Sequence, residues 1–573
     1  MSSESTTTST AHTTPDLANE TREGASARRG KAVALMASGT LISRVLGFVR
    51  TAMLAIAIGS TTYVADIFEK SNTMPTIIFM LLAGGVFNVI LVPQLIKASK
   101  NADRGSEYTS KLLTLTILVM AAITAVLMAG APALIRILSA GWSEPMIALG
   151  TIFTYWCMPQ VFFYGVYAVA GQVLNAHHRF GAYMWAPVAN NVIQLAALGT
   201  YLAMFGAYAG NSEEHFATWS STQTLVLAGG ATAGVTAQAL VLLWPLKKLG
   251  LKLRPNFRFR GMGLRKVGRM AAWTLLAMAI GNIVNLYTGK VVSGATAVRA
   301  GNPSVPGETA FNQAQLIVIL PHSLFALSLA TVLFNEFSNA FSENRSKDVG
   351  PLLSQGLRTI AIPMLFSAVA LITLAGPLGR LFGGTSIHAE AAGSATAILI
   401  VLMAIGLPWQ SYNFFLIRVF YAKEDTFTPM LLQTFYSALT LTAAIVIAYT
   451  LPWEIRAQAL CISFPIAHIS QTIVAHLTIR KKYGTYGAGN VIGQYIKIGW
   501  CAFLSGLIGA AVAYSLGAYS YGWAWSGYLP AITTIAATGI VMLAAYIGIL
   551  KLARIPELDD FLGPVLRKLK ISR

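Results

Sequence analysis

The residues best placed to do chemistry are charges set inside apolar runs. The first run reads ASGTLISRVLGFVRTAMLAIAIG and carries Arg44 and Arg50. A central arginine costs about 2.5–3.5 kcal/mol on membrane-insertion scales, so it normally faces a wet cavity or an anion. At helical spacing Ser43, Gly47 and Arg50 share one stripe, with Arg44 at its edge. Gly47 leaves room there for a ligand or a neighbouring helix to approach. Two guanidiniums suit a phosphate or diphosphate, because each presents a planar donor fork that stays charged. The competing reading lets them snorkel, or pairs them structurally with Asp66 or Glu69.

Asp66, Glu69 and Lys70 stand at the entry to the second run, after a turn near Ser60. They read as interface charges, as partners for the arginines, or as a gate on the outer side. Asn175, Arg179, Arg418 and Asp425 fall at helix ends on the opposite side, where structural pairing and a gate are equally good readings. Asn88, Asn190, Asn191, Asn282 and Asn285 lie within spans and suit hydrogen bonds between helices.

Other chemistry finds little support. Gly289-Lys290 is followed by Val291 and lacks the upstream glycine of a phosphate-binding loop, and the GMG at 261–263 follows no strand. His468 and His476 are eight apart without a carboxylate beside them, which suits packing better than a metal. Cys157, Cys461 and Cys501 all fall in apolar runs and read as small buried hydrophobes. With no paired carboxylates, metal ligands or cofactor motif, the sequence reads as a transporter without a cofactor, not an enzyme.

The elements that position these charges follow from composition. The chain has 573 residues, 55% hydrophobic and only 11% charged, with a mean hydropathy of +0.61. A soluble chain would be about a quarter charged, so this one is a polytopic membrane protein. A span needs roughly 20 apolar residues, and about fourteen such runs are expected here. They centre near Met53, Gly85, Met120, Phe162, Ile193, Ala233, Ile280, Leu327, Leu365, Leu407, Thr440, Ser470, Leu507 and Thr538. Their length and lack of alternation predict helices, hence an all-α fold and not a barrel.

The net charge of +19 is mostly topology. Lys247 to Arg269 holds nine basic residues and no acid, and further basic clusters surround Lys97 to Lys111, Arg480 to Lys482 and the C-terminus. The intervening loops are poor in Lys and Arg. An even number of spans with both termini inside puts every basic loop in the cytoplasm, as the positive-inside rule requires. The 247–269 stretch suits a solvated linker on the anionic leaflet better than a nucleic-acid site. It separates two expected lobes of six helices, at 32–246 and 270–482. Residues 1–31 read as a disordered cytoplasmic tail, 483–551 as two further helices and 552–573 as a basic cytoplasmic tail. A weak echo between VLNAHHRFGAYMWAP at 173–187 and VFYAKEDTFTP at 419–429 supports duplicated lobes around a cavity.

SRVLGFVR at 43–50, AD at 65–66 and GGVFNVILVP at 84–93 resemble the first two helices of the lipid II flippase family (MurJ, also called MviN). LNAHHRF with APVANN at 186–191, LPHSLFALSLAT at 320–331 and RVFYAKEDTFTP at 418–429 are similar to its later helices. The resemblance implies a multidrug/oligosaccharidyl-lipid/polysaccharide exporter fold, with two six-helix lobes around a central cavity plus two C-terminal helices. It implies movement of undecaprenyl-diphosphate-linked peptidoglycan precursor from the inner to the outer leaflet of the plasma membrane. Arg44 and Arg50 match the family's cavity arginines, and Asp66 matches its acid at the start of helix two. Lipid II is then the substrate, with cell-wall synthesis or division proteins as candidate partners. The chain departs from the family where an acid usual after the second arginine is Thr51. A basic pair falls at Phe79 and Met80, the following acid at Gly84, and an Asp-Arg pair at Gln315 and Leu316. That leaves Arg44 and Arg50 to carry more of the anion binding, with Lys290 as a nearby cation placed to compensate. The alternatives are an exporter of another polyprenyl-linked oligosaccharide or of drugs on the same fold, or a membrane scaffold.

Overall fold

The computed structural model describes residues 38–81, 105–177, 179–259, 264–298 and 302–559, with a few isolated positions besides. Among these residues the regular structure is helical, with no strand. Twelve helices are long and apolar enough to cross a membrane, or thirteen when one bent pair is taken as a single span. The expected run near Gly85 falls mostly on residues outside those described, as does Asn88. The two tails, 1–31 and 562–573, fall outside them too.

The spans used below are α1 (Ser38–Ile58), α2 (Tyr63–Phe79), α3 (Ser106–Ala129), α4 (Glu144–Ala176), α5 (Gly181–Phe205) and α6 (Ser221–Lys247). They continue as α7 (Leu264–Val298), α8 (Glu308–Ser342), α9 (Ser346–Thr373), α10 (Ala389–Ala404) and α11 (Leu407–Ala422). The last four are α12 (Phe427–Thr450), α13 (Trp453–Tyr483), α14 (Ala488–Ser515) and α15 (Tyr528–Leu552).

Proline sets the breaks. Pro408 stands in the first turn of α11, where its missing N–H costs nothing, and α10 and α11 meet at a bend of 43°. Pro321 precedes a π-helical turn at His322–Ala326 in the middle of α8, and a second π turn at Leu225–Gly229 interrupts α6.

Several apolar cores form, one larger and the others smaller, on the two sides of the basic linker. The larger draws on α7 to α13 and reaches α14 and α15; smaller ones draw on α1 to α6 and the short helix Ala131–Leu138. α14 packs on α9 and α15. The two halves meet chiefly where α2 touches α7 and α8. The linker itself runs extended along α3, the Arg254 and Asn256 N–H groups donating to Ser110 and Thr114. Leu253 and Phe259 tuck into the core of the first half while Lys252, Arg254 and Arg258 stay exposed. Helix α7 already begins at Leu264.

Successive spans run up and down, so the loops sort onto two ends. One end carries the linker, the turn around Asp425 and the turn after Lys482, and is called here the basic end. The other carries the turns at 59–62, 139–143, 206–220, 302–307 and 383–388, and is called the sparse end.

Candidate functional site

At the sparse end the two halves are stitched together. Thr62 starts α2 by accepting from the Ala65 N–H, which puts Asp66 in the helix's first turn. The Asp66 carboxylate is fully buried; Oδ2 accepts from the Thr296 hydroxyl of α7 at 2.7 Å and Oδ1 from the Thr309 N–H of α8 at 2.9 Å. The first N–H groups of a helix have no partner within it, and the residue that opens α8 is Gly307, which has no side chain to cap it. Asp66 therefore caps α8 from the other half of the molecule, at a point where two helix N-termini favour its charge. One turn further, the Lys70 ammonium meets the Glu308 carboxylate at 3.1 Å, with side chains only 5% and 7% exposed. Gly289 of α7 lies over this pair: a Cβ there would stand 3.3 Å from Lys70 Nζ. Trp142 Nε1 donates to the Ser293 carbonyl and the Ser60 hydroxyl to that of Phe382, adding two more cross-half ties.

Below this seam lies a polar cavity of about 280 Å³. Its wall includes Arg50 and Thr51 of α1, Glu69, Asn72 and Thr76 of α2, Gln160 and Tyr164 of α4, Asn190 and Gln194 of α5, and Asn312 of α8. Arg50 donates to Gln194 Oε1 at 3.2 Å. Glu69 Oε1 accepts from Thr73 and Asn312 at 3.1 and 3.0 Å. A second cavity of about 300 Å³ lies among α7, α8 and α11 to α13, lined by Asn285, Gln315, Gln410, Tyr436 and His468. A narrow space beside Lys70 and Glu308 shares Thr73 and Asn312 with the first cavity and Asn285 and Gln315 with the second.

The expected site residues separate on this frame. Arg50 and Glu69 face the first cavity together. Arg44 instead donates to the Ser323 hydroxyl in the π turn of α8, so the two arginines meet different partners. Among the described residues no carboxylate lies within ion-pair distance of either arginine. Ser43 accepts from Asn191 through its carbonyl and hydroxyl, and Gly47 leaves ordinary contact space beside the same amide. Lys290 is half-buried on α7, its carbonyl accepting from Ser293. Gln315 and Leu316 put neutral groups on the walls of two cavities.

At the basic end, Asn175 donates to Gln172 at 3.4 Å and Arg179 is exposed. Arg418 lies 4.3 Å over the Phe414 ring. Asp425 accepts from the Thr428 N–H and hydroxyl and pairs with Lys482 at 2.8 Å, fixing the turn into α12. Burial raises its pKa, but these hydrogen bonds and the lysine outweigh it and hold the carboxyl below its ordinary value. Of the intramembrane amides, Asn190 bonds Gln238 across α5 and α6, whereas Asn282 bonds its own helix at Met278.

Sequence reading missed Glu308 and, apart from Asn190, the amide lining of the cavity. An acid in the first turn of a helix satisfies the local dipole and carries no signal of a partner 238 residues away.

Long apolar helices in two packed halves, with a polar cavity in the first half closed on one side by α8, define a polytopic helical membrane protein whose fold is shared with solved exporters of the multidrug/oligosaccharidyl-lipid/polysaccharide class. The solved structure of an inward-facing multidrug resistance MATE transporter superposes with a TM-score of 0.62 at 14% identity, covering 78% of this chain and 98% of that one. The structure described as lipid II flippase MurJ, inward closed conformation, gives 0.69 at 17% identity, covering 93% and 100%. Within that class, the family model described as Lipid II flippase MurJ matches residues 54–529, and the chain belongs to this family. The matched stretch starts after Arg44 and Arg50. The lipid II flippase MurJ of Burkholderia cenocepacia is 25% identical over 539 residues, 91% of this chain and 96% of that protein. The probable lipid II flippase MurJ of Synechocystis is 25% identical over 409 residues, 70% and 73% of the two chains.

Proposed function

We propose that this protein flips lipid II, carrying the undecaprenyl-diphosphate-linked precursor from the inner to the outer leaflet of the plasma membrane by alternating access. The carrying observation is Arg50 in the wall of a polar cavity in the first half, closed on one side by α8 and lying beneath a sealed sparse end. The basic end faces the cytoplasm, with both termini, because basic loops are retained inside. The closed sparse end is then the outer gate, made by Asp66 with Thr296 and Thr309 and by Lys70 with Glu308. Arg50 takes the diphosphate. Arg44, nearer the basic end of α1, supplies a second guanidinium when the halves part and its bond to Ser323 opens. The halves, 32–246 and 270–482, rock about the 247–269 linker with the prenyl tail left in lipid. Asp425 and Arg418 shape the cytoplasmic side.

The test is complementation. Cells depleted of their own flippase and expressing this chain should regain lipid II in the outer leaflet, and Arg50→Ala should lower that export at equal expression. Failure of the wild-type chain to restore export overturns the assignment. Full export by both Arg44→Ala and Arg50→Ala overturns the placement of the diphosphate site alone.

A further inference from the structure

Three carboxylates crowd the seam around α2, and two of them are matched. Asp66 caps α8, and Glu308 holds Lys70. Glu69 is different. Both of its hydrogen bonds, from the neutral donors Thr73 and Asn312, fall on Oε1. Its Oε2 accepts no hydrogen bond from any described residue, and the side chain lines the cavity. Lys70, the next residue, is already engaged, and Arg50 shares the cavity wall without reaching ion-pair distance. A half-buried carboxylate held only by neutral donors has no counter-ion within ion-pair distance among the described residues, and an incoming cation favours its charged form.

We infer that Glu69 receives a primary ammonium group on the transported headgroup, so that the cavity is dipolar, with Arg50 for phosphate and Glu69 for amine. This rests on the flippase reading and sharpens its substrate class to a polyprenyl-diphosphate lipid whose peptide carries a free amine. An ammonium has three donors to place. Glu69 Oε2 accepts one, and the Thr76 hydroxyl and Gln160 amide oxygens in the same wall are acceptors for the others, Asn72 Oδ1 already accepting from Gln160 Nε2. A metal ion suits the site less well. No cluster of three or more His, Cys, Asp or Glu among the described residues is placed to hold one, and Glu69 has a single open oxygen.

The experiment compares two ligands on the whole protein in lipid nanodiscs: lipid II with a free stem-peptide amine, and the same lipid N-acetylated at that amine. A charge-assisted hydrogen bond predicts about 10- to 100-fold tighter binding of the free amine by the wild type. Glu69→Gln keeps the oxygen that Thr73 and Asn312 need, so it should fold and melt as the wild type does. It should bind both lipids as weakly as the wild type binds the acetylated one, while Glu69→Asp retains part of the preference. No preference in the wild type, or a preference that survives Glu69→Gln, overturns the inference and leaves the flippase reading standing. Wild-type protein that binds neither lipid overturns both. A Glu69→Gln effect that tracks pH equally for the two lipids marks a proton site and also overturns it.

Discussion

Lys70 and Glu308 form an ion pair at 3.1 Å that joins α2 of one half to the start of α8 in the other, with both side chains almost wholly buried. Removing one partner of a buried pair leaves an uncompensated charge, whereas removing both need not destabilise. Lys70→Met alone should therefore cost the closed arrangement about 3–5 kcal/mol. Lys70→Met with Glu308→Met should recover most of it. Thermal unfolding in detergent, run as a double-mutant cycle, measures the coupling, and additive effects would show that the pair is energetically idle.

The cap that Asp66 provides to α8 should behave like other helix caps, with a loss of about 0.5–2 kcal/mol on substitution by alanine. Because this cap crosses the halves, the loss should also open the sparse end. Asp66→Ala should raise the rate at which a cysteine placed at buried Ser60 reacts with a membrane-impermeant thiol reagent. An unchanged labelling rate would separate the cap from closure.

Gly294 of α7 sits against the Trp453 ring so closely that a Cβ would overlap it. That ring is held in turn by Arg456, 3.4 Å above it. Overpacking of this kind costs about 1–3 kcal/mol. Gly294→Ala should lower the melting temperature, and Gly294→Ala with Trp453→Leu should regain part of the loss.

His215 lies in the short helix Ser212–Ala217 at the sparse end, outside the spans, between the rings of Tyr208 and Trp219. Burial pushes its pKa down to about 4. A folded pKa below the unfolded one of about 6.5 means that the unfolded segment binds more protons as pH falls. The packing of 206–220 should be fully stable above about pH 6.5, weaken as pH drops towards 4, and level off below. Hydrogen exchange of this segment across that range should show the change, and His215→Phe should flatten it.

Asp425 has the same sign for a different reason. Its folded pKa is depressed because the Thr428 and Lys482 bonds outweigh burial, so its contribution is present above the unfolded value of about 3.9 and lost as pH falls through the folded one. Asp425→Ala should cost about 1 kcal/mol near neutral pH as a lost cap. Asp425→Asn, which still accepts from the Thr428 N–H, should cost less, and chemical denaturation would rank the two.

Hydropathy and the spacing of charges were enough for the all-helical membrane fold, though not for the expected count of about fourteen spans, because both are set by residues adjacent in the chain. They put Arg44, Arg50, Asp66 and Glu69 inside or beside the membrane for the same reason. Even the bend at Leu407 has its local cause in Pro408, although the run reads as one continuous span. What the chain alone left open was which charge meets which. Arg50 lies on the stripe with Ser43 and Gly47 and Arg44 at its edge, and the two divide between Gln194 and Ser323, since helical spacing fixes direction and not depth or neighbour. Asp66 finds an uncapped helix 243 residues away, and Lys70 finds Glu308 at a separation of 238. Those meetings exist only where the two halves pack, and packing also decides that Lys70 is spent on Glu308 while Glu69, one residue earlier, keeps an oxygen open to the cavity.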